Sequence, residues 1–204
     1  MTDPHSSSMI EITDDANLWT RFFMVHALIV IGSREKDGSY NLAPKHMAMP
    51  MGFGPYLGFM GTPRKMTYRN IEREGAFTVS FPQPDQLVET SIAASPRDND
   101  DKKPIIDAIP TVDAKKIDGL FMENSYLQLE CSLHEIIGKF GEWEMIVGEI
   151  IAAYVHEDAL RLEGDDKNDD KLINESPLLA YLHPNRFATI EKSHQFPLPK
   201  NFKR

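Results

Sequence analysis

The chain has 204 residues, 41% of them hydrophobic, enough to bury one substantial core, and its 14 prolines and 12 glycines are scattered rather than gathered into a low-complexity stretch. A formal charge of -9 excludes a general affinity for nucleic acid or an anionic membrane, so any anion site must be local. One cysteine excludes an internal disulfide, and no stretch of about 18 uninterrupted apolar residues predicts a membrane span. The polar residues 1–9 lack an apolar signal core, which gives a cytoplasmic expectation.

In chain order, residues 1–20 read as an extension and residues 27–31 as the first strong strand. Asp37-Gly38 then turns the chain into residues 40–43, a hairpin. Residues 44–55 hold three prolines, two glycines and three methionines, which predicts an irregular loop. A buried strand over 56–60 leads into a helix that starts at Thr62-Pro63 and stops at Gly75. Residues 76–81 predict another strand, 85–94 a short helix, and 97–103 a charged surface loop. Two long β-branched runs, 125–137 and 143–155, read as a hairpin joined by residues 138–142. An acidic loop over 163–171, a last strand over 178–190 and a tail over 191–204 complete a single domain. Six or seven strands with two or three short helices predict a mainly β protein, a small closed barrel with helices at its flank.

Two segments carry candidate chemistry. The turn around Thr62 to Asn70 offers backbone N–H groups, two hydroxyls (Thr62 and Thr67) and two cations (Arg64 and Lys65), all suited to a phosphate. Equally, Thr62 reads as an N-cap, Thr67 as solvent-facing, and Arg64 and Lys65 as partners of local carboxylates such as Glu72. Residues 43–50 form a loop whose thioethers beside prolines and exposed backbone suit a planar ring. Cys131 lies in an apolar alternating run and reads as a small hydrophobe. The seven histidines, His5, His26, His46, His134, His156, His183 and His194, show no close ligand spacing, so no metal site is expected. Nor does any sit in a motif that organises a nucleophile.

Three of these stretches, in order and in register, resemble the flavin-reductase-like FMN-binding family. Residues 41–46 (Asn-Leu-Ala-Pro-Lys-His) resemble its Asn-x-x-Thr-x-Ser loop, and Thr67-x-x-x-Ile71 its phosphate-side Thr-x-x-x-Ile. Residues 141–150 resemble its Gly-Asp-His-x-x-x-x-Gly-x-Val hairpin. The resemblance implies a split β-barrel homodimer with FMN held noncovalently at the subunit boundary. It implies reduction by NADH or NADPH, with electrons passed to free flavin, a partner monooxygenase or another acceptor. Pro44 to Met47 would contact the flavin ring, and Thr62, Arg64, Lys65 and Thr67, with Asn70, would hold its phosphate. Pro44 stands for the usual threonine, His46 for a serine and Trp143 for the hairpin histidine. Tryptophan stacks on a ring but does not perform histidine's proton chemistry. The candidates for a catalytic group are therefore His46, Trp143 and His156. The alternative is an FMN-binding electron-transfer or storage protein that does not react with a nicotinamide.

Overall fold

Alternating β-branched and aromatic residues pair here into twelve strands among the residues described, 9–12, 18–162 and 168–199, in a computed structural model. They are β1 (Met24–Ala27), β2 (Ile29–Arg34), β3 (Tyr40–Lys45), β4 (Ala48–Pro50), β5 (Tyr56–Gly61) and β6 (Ala76–Phe81). There follow β7 (Thr111–Asp113), β8 (Leu120–Met122), β9 (Leu127–Phe140), β10 (Trp143–Val155), β11 (Leu178–His183) and β12 (Arg186–Ile190). Helices α1 (Met66–Glu74), α2 (Leu87–Ile92) and α3 (Asp169–Glu175) lie between them.

Seven strands form one antiparallel sheet in the order β3-β2-β6-β9-β10-β5-β4. Its two edge strands are consecutive in the chain, joined only by His46 and Met47. Three Cα steps span at most about 11 Å, whereas the edges of a flat seven-stranded sheet stand about 29 Å apart. The sheet must therefore curl until its edges converge, and the Met60 N–H donates to the Met47 carbonyl at 2.9 Å. The sheet is a curled half-barrel, and the mainly β architecture is as expected.

The edge position explains why part of the expected loop over 44–55 is strand. Pro44 lies within β3, opposite Val30, and Pro50 within β4, opposite Leu57. Proline is tolerated on an edge because its missing N–H leaves no ladder bond broken. His46-Met47 and residues 51–55 stay outside the strands, with Gly52 at φ 80°.

Inside the curl, Ile29, Ile31, Phe59, Phe77, Val79, Leu129 and Ile146 form the main core with Ile71 of α1. Cys131 is part of it, and burial, then the neighbouring Glu130, pushes its thiol up to about 12, so it acts as a hydrophobe. Gly148 has no room for a side chain, since a Cβ there would run into the Phe77 ring. On the outer face Val30 and Leu42 pack with Ala93, Ile106, Ile109 and Met122. Strand β2 is thus buried on both sides, which masks its period-2 signal.

Several boundaries differ from expectation for local reasons. The strand expected over 27–31 divides at Leu28, because β1 leaves to pair with β11 while β2 stays in the large sheet. The strand expected over 178–190 is a hairpin, β11 and β12, turned at Pro184-Asn185, with Asn185 at φ 55°. Helix α1 begins at Met66, not at Thr62-Pro63, which instead form a turn closed by the Lys65 N–H on the Thr62 carbonyl at 2.9 Å. Its stop is as expected, Gly75 at φ 67° donating to the Ile71 carbonyl. The long hairpin turns over Gly141-Glu142 alone, so β9 runs three residues further than expected. The expected acidic loop becomes α3 from Asp169, and its residues 163–167, like residues 1–8 and 200–204 of the two termini, lie outside the described residues.

One buried carboxylate organises the outer connection. Glu130 on β9 accepts hydrogen bonds from the N–H groups of Lys115, Lys116 and Ile117 at 3.0, 2.7 and 2.8 Å, and from the Tyr154 hydroxyl at 2.8 Å. Burial alone would raise its pKa, but these four donors overcome that effect and hold it below the usual carboxylate range. The short pair β7 and β8, unanticipated from sequence, is pinned to the barrel in this way.

Candidate functional site

The two strand ends that flank the His46-Met47 connection and the β5-to-α1 turn build one continuous site. On one side lies a cavity of about 690 Å³, within the range of pockets that hold a drug-sized molecule. Its walls are Trp19, Met24, Met47, Met60, Phe140, Trp143 and Met145, with His26, His46 and His183 as the polar members. Phe140 and Trp143 come from the tip of the β9–β10 hairpin, where they face each other in register. Flat aromatic and thioether walls with few polar groups suit a planar conjugated ring.

On the other side is a cationic cradle. The Thr62 hydroxyl is buried with no hydrogen-bond partner, and the Lys45 ammonium has neither hydrogen bond nor ion pair among the described residues. Burial, and then the Lys65 ammonium, holds the Lys45 pKa below its ordinary value. Thr67, buried in the first turn of α1, accepts from the Asn41 amide at 3.1 Å. Asn41 and the Leu42 carbonyl also take the Lys103 ammonium, which burial pushes down to about 8, aided by Arg97 and Lys45. An unfilled buried hydroxyl beside unneutralised ammonium groups and a helix N-terminus is what a phosphate requires. The Lys45 ammonium lies close enough to act on the His46 ring, so cradle and cavity adjoin.

The candidates from sequence fall into distinct places. Lys45, Lys65, Thr62 and Thr67 gather at the cradle, while His46, Met47 and Trp143 line the cavity. Pro44 lies on β3 beside them. Thr62 is not the N-cap of α1, which is Lys65. Arg64 reaches away to Glu142 on the hairpin tip at 2.6 Å, an exposed pair, rather than to Glu72. Together with the Tyr68 hydroxyl on Glu144, it ties the α1 entrance to the aromatic hairpin. Asn70 is fully buried and spends its side chain on Ser33 and Arg73, each at 3.2 Å. His156 follows the far end of β10, where its Nδ1 accepts from the Asp158 N–H, remote from Trp143.

Sequence reasoning missed His26, His183 and Tyr181. His46 stacks on Tyr181 with ring centroids 4.3 Å apart, lies 5.5 Å from His183, and meets His26 edge-on at 5.6 Å. Histidines scattered along the chain are therefore brought together in part, by pairing of β1 with β11 beside the β3–β4 connection. That pairing has no local sequence signal. Burial pushes the His46 pKa down to about 4, helped by His26, His183 and Lys45, so at neutral pH its ring is uncharged. No group of three or more histidine, cysteine or carboxylate side chains among the described residues has an arrangement able to hold a metal ion.

The Flavin reductase like domain profile matches residues 21–184. The chain belongs to that family. No curated protein matches the sequence. Among solved structures, nitrilotriacetate monooxygenase component B from Bacillus cereus superimposes with a TM-score of 0.77 at 17% identity, covering 95% of this chain and 100% of that one. Flavoredoxin from Methanosarcina acetivorans gives 0.75 at 20% identity, covering 95% and 97%. The FMN-binding protein from Thermus thermophilus gives 0.71 at 16%, covering 92% and 98%. The fold of this flavin reductase-like chain is the split β-barrel. No helix among the described residues is long and apolar enough to cross a membrane.

Proposed function

We propose that this flavin reductase-like protein binds FMN without covalent attachment and is an oxidoreductase that takes hydride from NADH or NADPH. Its electrons pass to free flavin, a partner monooxygenase or another acceptor. The observation that carries the reading is the shared border between a flat apolar cavity and a cradle with an unfilled hydroxyl and unneutralised lysines. Lys45, Lys65, Thr62 and Thr67 would hold the phosphate, and the segment Pro44 to Met47 would contact the flavin ring. Arg64 and Asn70, engaged elsewhere, play supporting parts at the rim and beneath the helix. When bound, the flavin supplies the hydride-accepting and electron-donating chemistry. The protein orients it, and the Met and aromatic walls exclude water.

The proposed working unit is a homodimer with the flavin at the subunit boundary. In support, Val25 on β1 and Met49 on β4, strands in contact with each other, are exposed, and Phe53 beyond β4 is 99% exposed. Such apolar surface is costly to leave in water.

Trp143 favours a second reading, electron transfer or storage without nicotinamide reactivity, because it brings no proton-transfer group to the hairpin wall. One experiment separates the two. Protein loaded with FMN and freed of excess is mixed anaerobically with NADH or NADPH while the visible flavin band is followed. Rapid bleaching supports the reductase; retained flavin that bleaches only with dithionite supports the second reading. A chain that neither retains nor binds FMN in a direct titration contradicts both.

A further inference from the structure

The histidine face of the cavity has an electrostatic character that a flavin ring does not by itself explain. His26 comes from β1, His46 from the β3–β4 connection and His183 from β11, with Tyr181 stacked behind. The charged and titratable groups that act on His46 are His26, His183 and Lys45, all cationic when charged, with no carboxylate to oppose them. His26 is likewise held below its ordinary value, by burial and then by His183. The Nδ1 atom of His183 is buried without a hydrogen-bond partner. Thus, in a chain of net charge -9, the cavity lining carries three imidazoles and no carboxylate, with the Lys45 ammonium close enough to act on His46. The same cavity is also lined by the rings of Trp19, Phe140 and Trp143.

We propose that His26, His46 and His183 form an anion subsite that takes the carboxylate of a planar aromatic acid, the second ligand of the cavity. The inference deepens the flavin reading, which it uses only to say what lies beside the subsite. The aromatic body of the acid lies along the Trp and Phe walls, and its carboxylate meets the imidazole N–H groups. An anion placed there favours the imidazolium that burial and like charge otherwise suppress. Binding is therefore coupled to proton uptake, and affinity rises as pH falls, by up to about tenfold per pH unit for one proton. A neutral isostere has no such coupling.

Equilibrium dialysis of benzoate and of benzamide tests this, using FMN-saturated and FMN-free protein between pH 6 and pH 8.5. The variants are His26→Gln and His183→Gln, with FMN affinity measured separately by flavin fluorescence. Benzoate is expected to bind more tightly than benzamide and to gain affinity toward low pH, while benzamide shows no pH dependence. Each variant is expected to lose at least about tenfold in benzoate affinity, with a flatter pH profile, a loss larger than any change in its FMN affinity. His26 sits on an edge strand, so its variant tests the subsite even where His183→Gln fails to fold. Equal binding of benzoate and benzamide, an unchanged pH profile in folded His26→Gln, or no benzoate binding to FMN-saturated protein overturns the proposal. Loss of FMN binding with pH-dependent benzoate binding intact would instead refute the flavin reading and leave the subsite standing.

Discussion

Lys45→Met should weaken FMN binding while stabilising the free protein, two effects of opposite sign from one side chain. In the free chain the Lys45 ammonium is partly desolvated, lies near Lys65, and has no counter-ion among the described residues. A methionine of similar length removes that penalty and keeps the packing, a gain on the order of 1 kcal/mol, at the low end for replacing buried ionic groups. Because burial depresses the folded-state pKa of Lys45, the unfolded chain binds the extra proton between the two values. The penalty is thus full at neutral pH and fades as pH rises toward the ordinary lysine value near ~10.4. The stabilisation by methionine should follow the same course. Against this, a charge-assisted hydrogen bond to phosphate is worth about 1.5–3 kcal/mol, so FMN affinity should fall by about 10- to 150-fold. Urea unfolding at pH 7 and pH 10 measures the first effect and flavin fluorescence titration the second. A variant that is less stable at pH 7, or one that binds FMN as the wild type does, would refute the reasoning.

Other sites give sharper stability tests. Glu130→Ala leaves the three amides of residues 115–117 and the Tyr154 hydroxyl without their acceptor and should cost about 3–5 kcal/mol in urea unfolding at pH 7. As the native carboxyl's pKa is depressed, its contribution is present above the unfolded value of about 4.3 and is lost as pH falls through the folded one, so wild type and variant should converge in acid. Gly148→Ala drives a methyl group into the Phe77 ring and to 3.0 Å from the Cys131 Cβ, and should cost about 1–3 kcal/mol in the same assay. Trp143→Ala removes a cavity wall and should weaken FMN by roughly 1–2 kcal/mol, five- to thirtyfold, in a fluorescence titration.

The legible parts of the sequence were those whose physics is local. Gly75 ends α1 because only its φ of 67° closes the helix there, and the β9–β10 hairpin follows from two long β-branched runs. The misread parts depend on partners distant in sequence. Residues 44–55 looked irregular because proline forbids a central strand, and only the sheet order shows that Pro44 and Pro50 occupy edges. The break at Leu28 reflects a change of sheet, to which the run of apolar residues from 27 to 31 gives no clue. At the candidate site the cradle was recognisable from Thr62, Lys65 and Thr67, clustered within six residues. The histidine wall was not, since His26, His46 and His183 meet only through the pairing of β1 with β11.

A fluorescence titration comparing FMN with riboflavin, which shares the ring but lacks the phosphate, tests most directly whether cavity and cradle act as one flavin site. Lys45, Lys65, Thr62 and Thr67 predict that FMN binds at least about 100-fold more tightly, the equivalent of one or two charge-assisted bonds. The Lys65→Ala/Thr67→Ala double variant should lose about 1–3 kcal/mol of that preference. Equal affinity for the two flavins in the folded wild type would contradict the account.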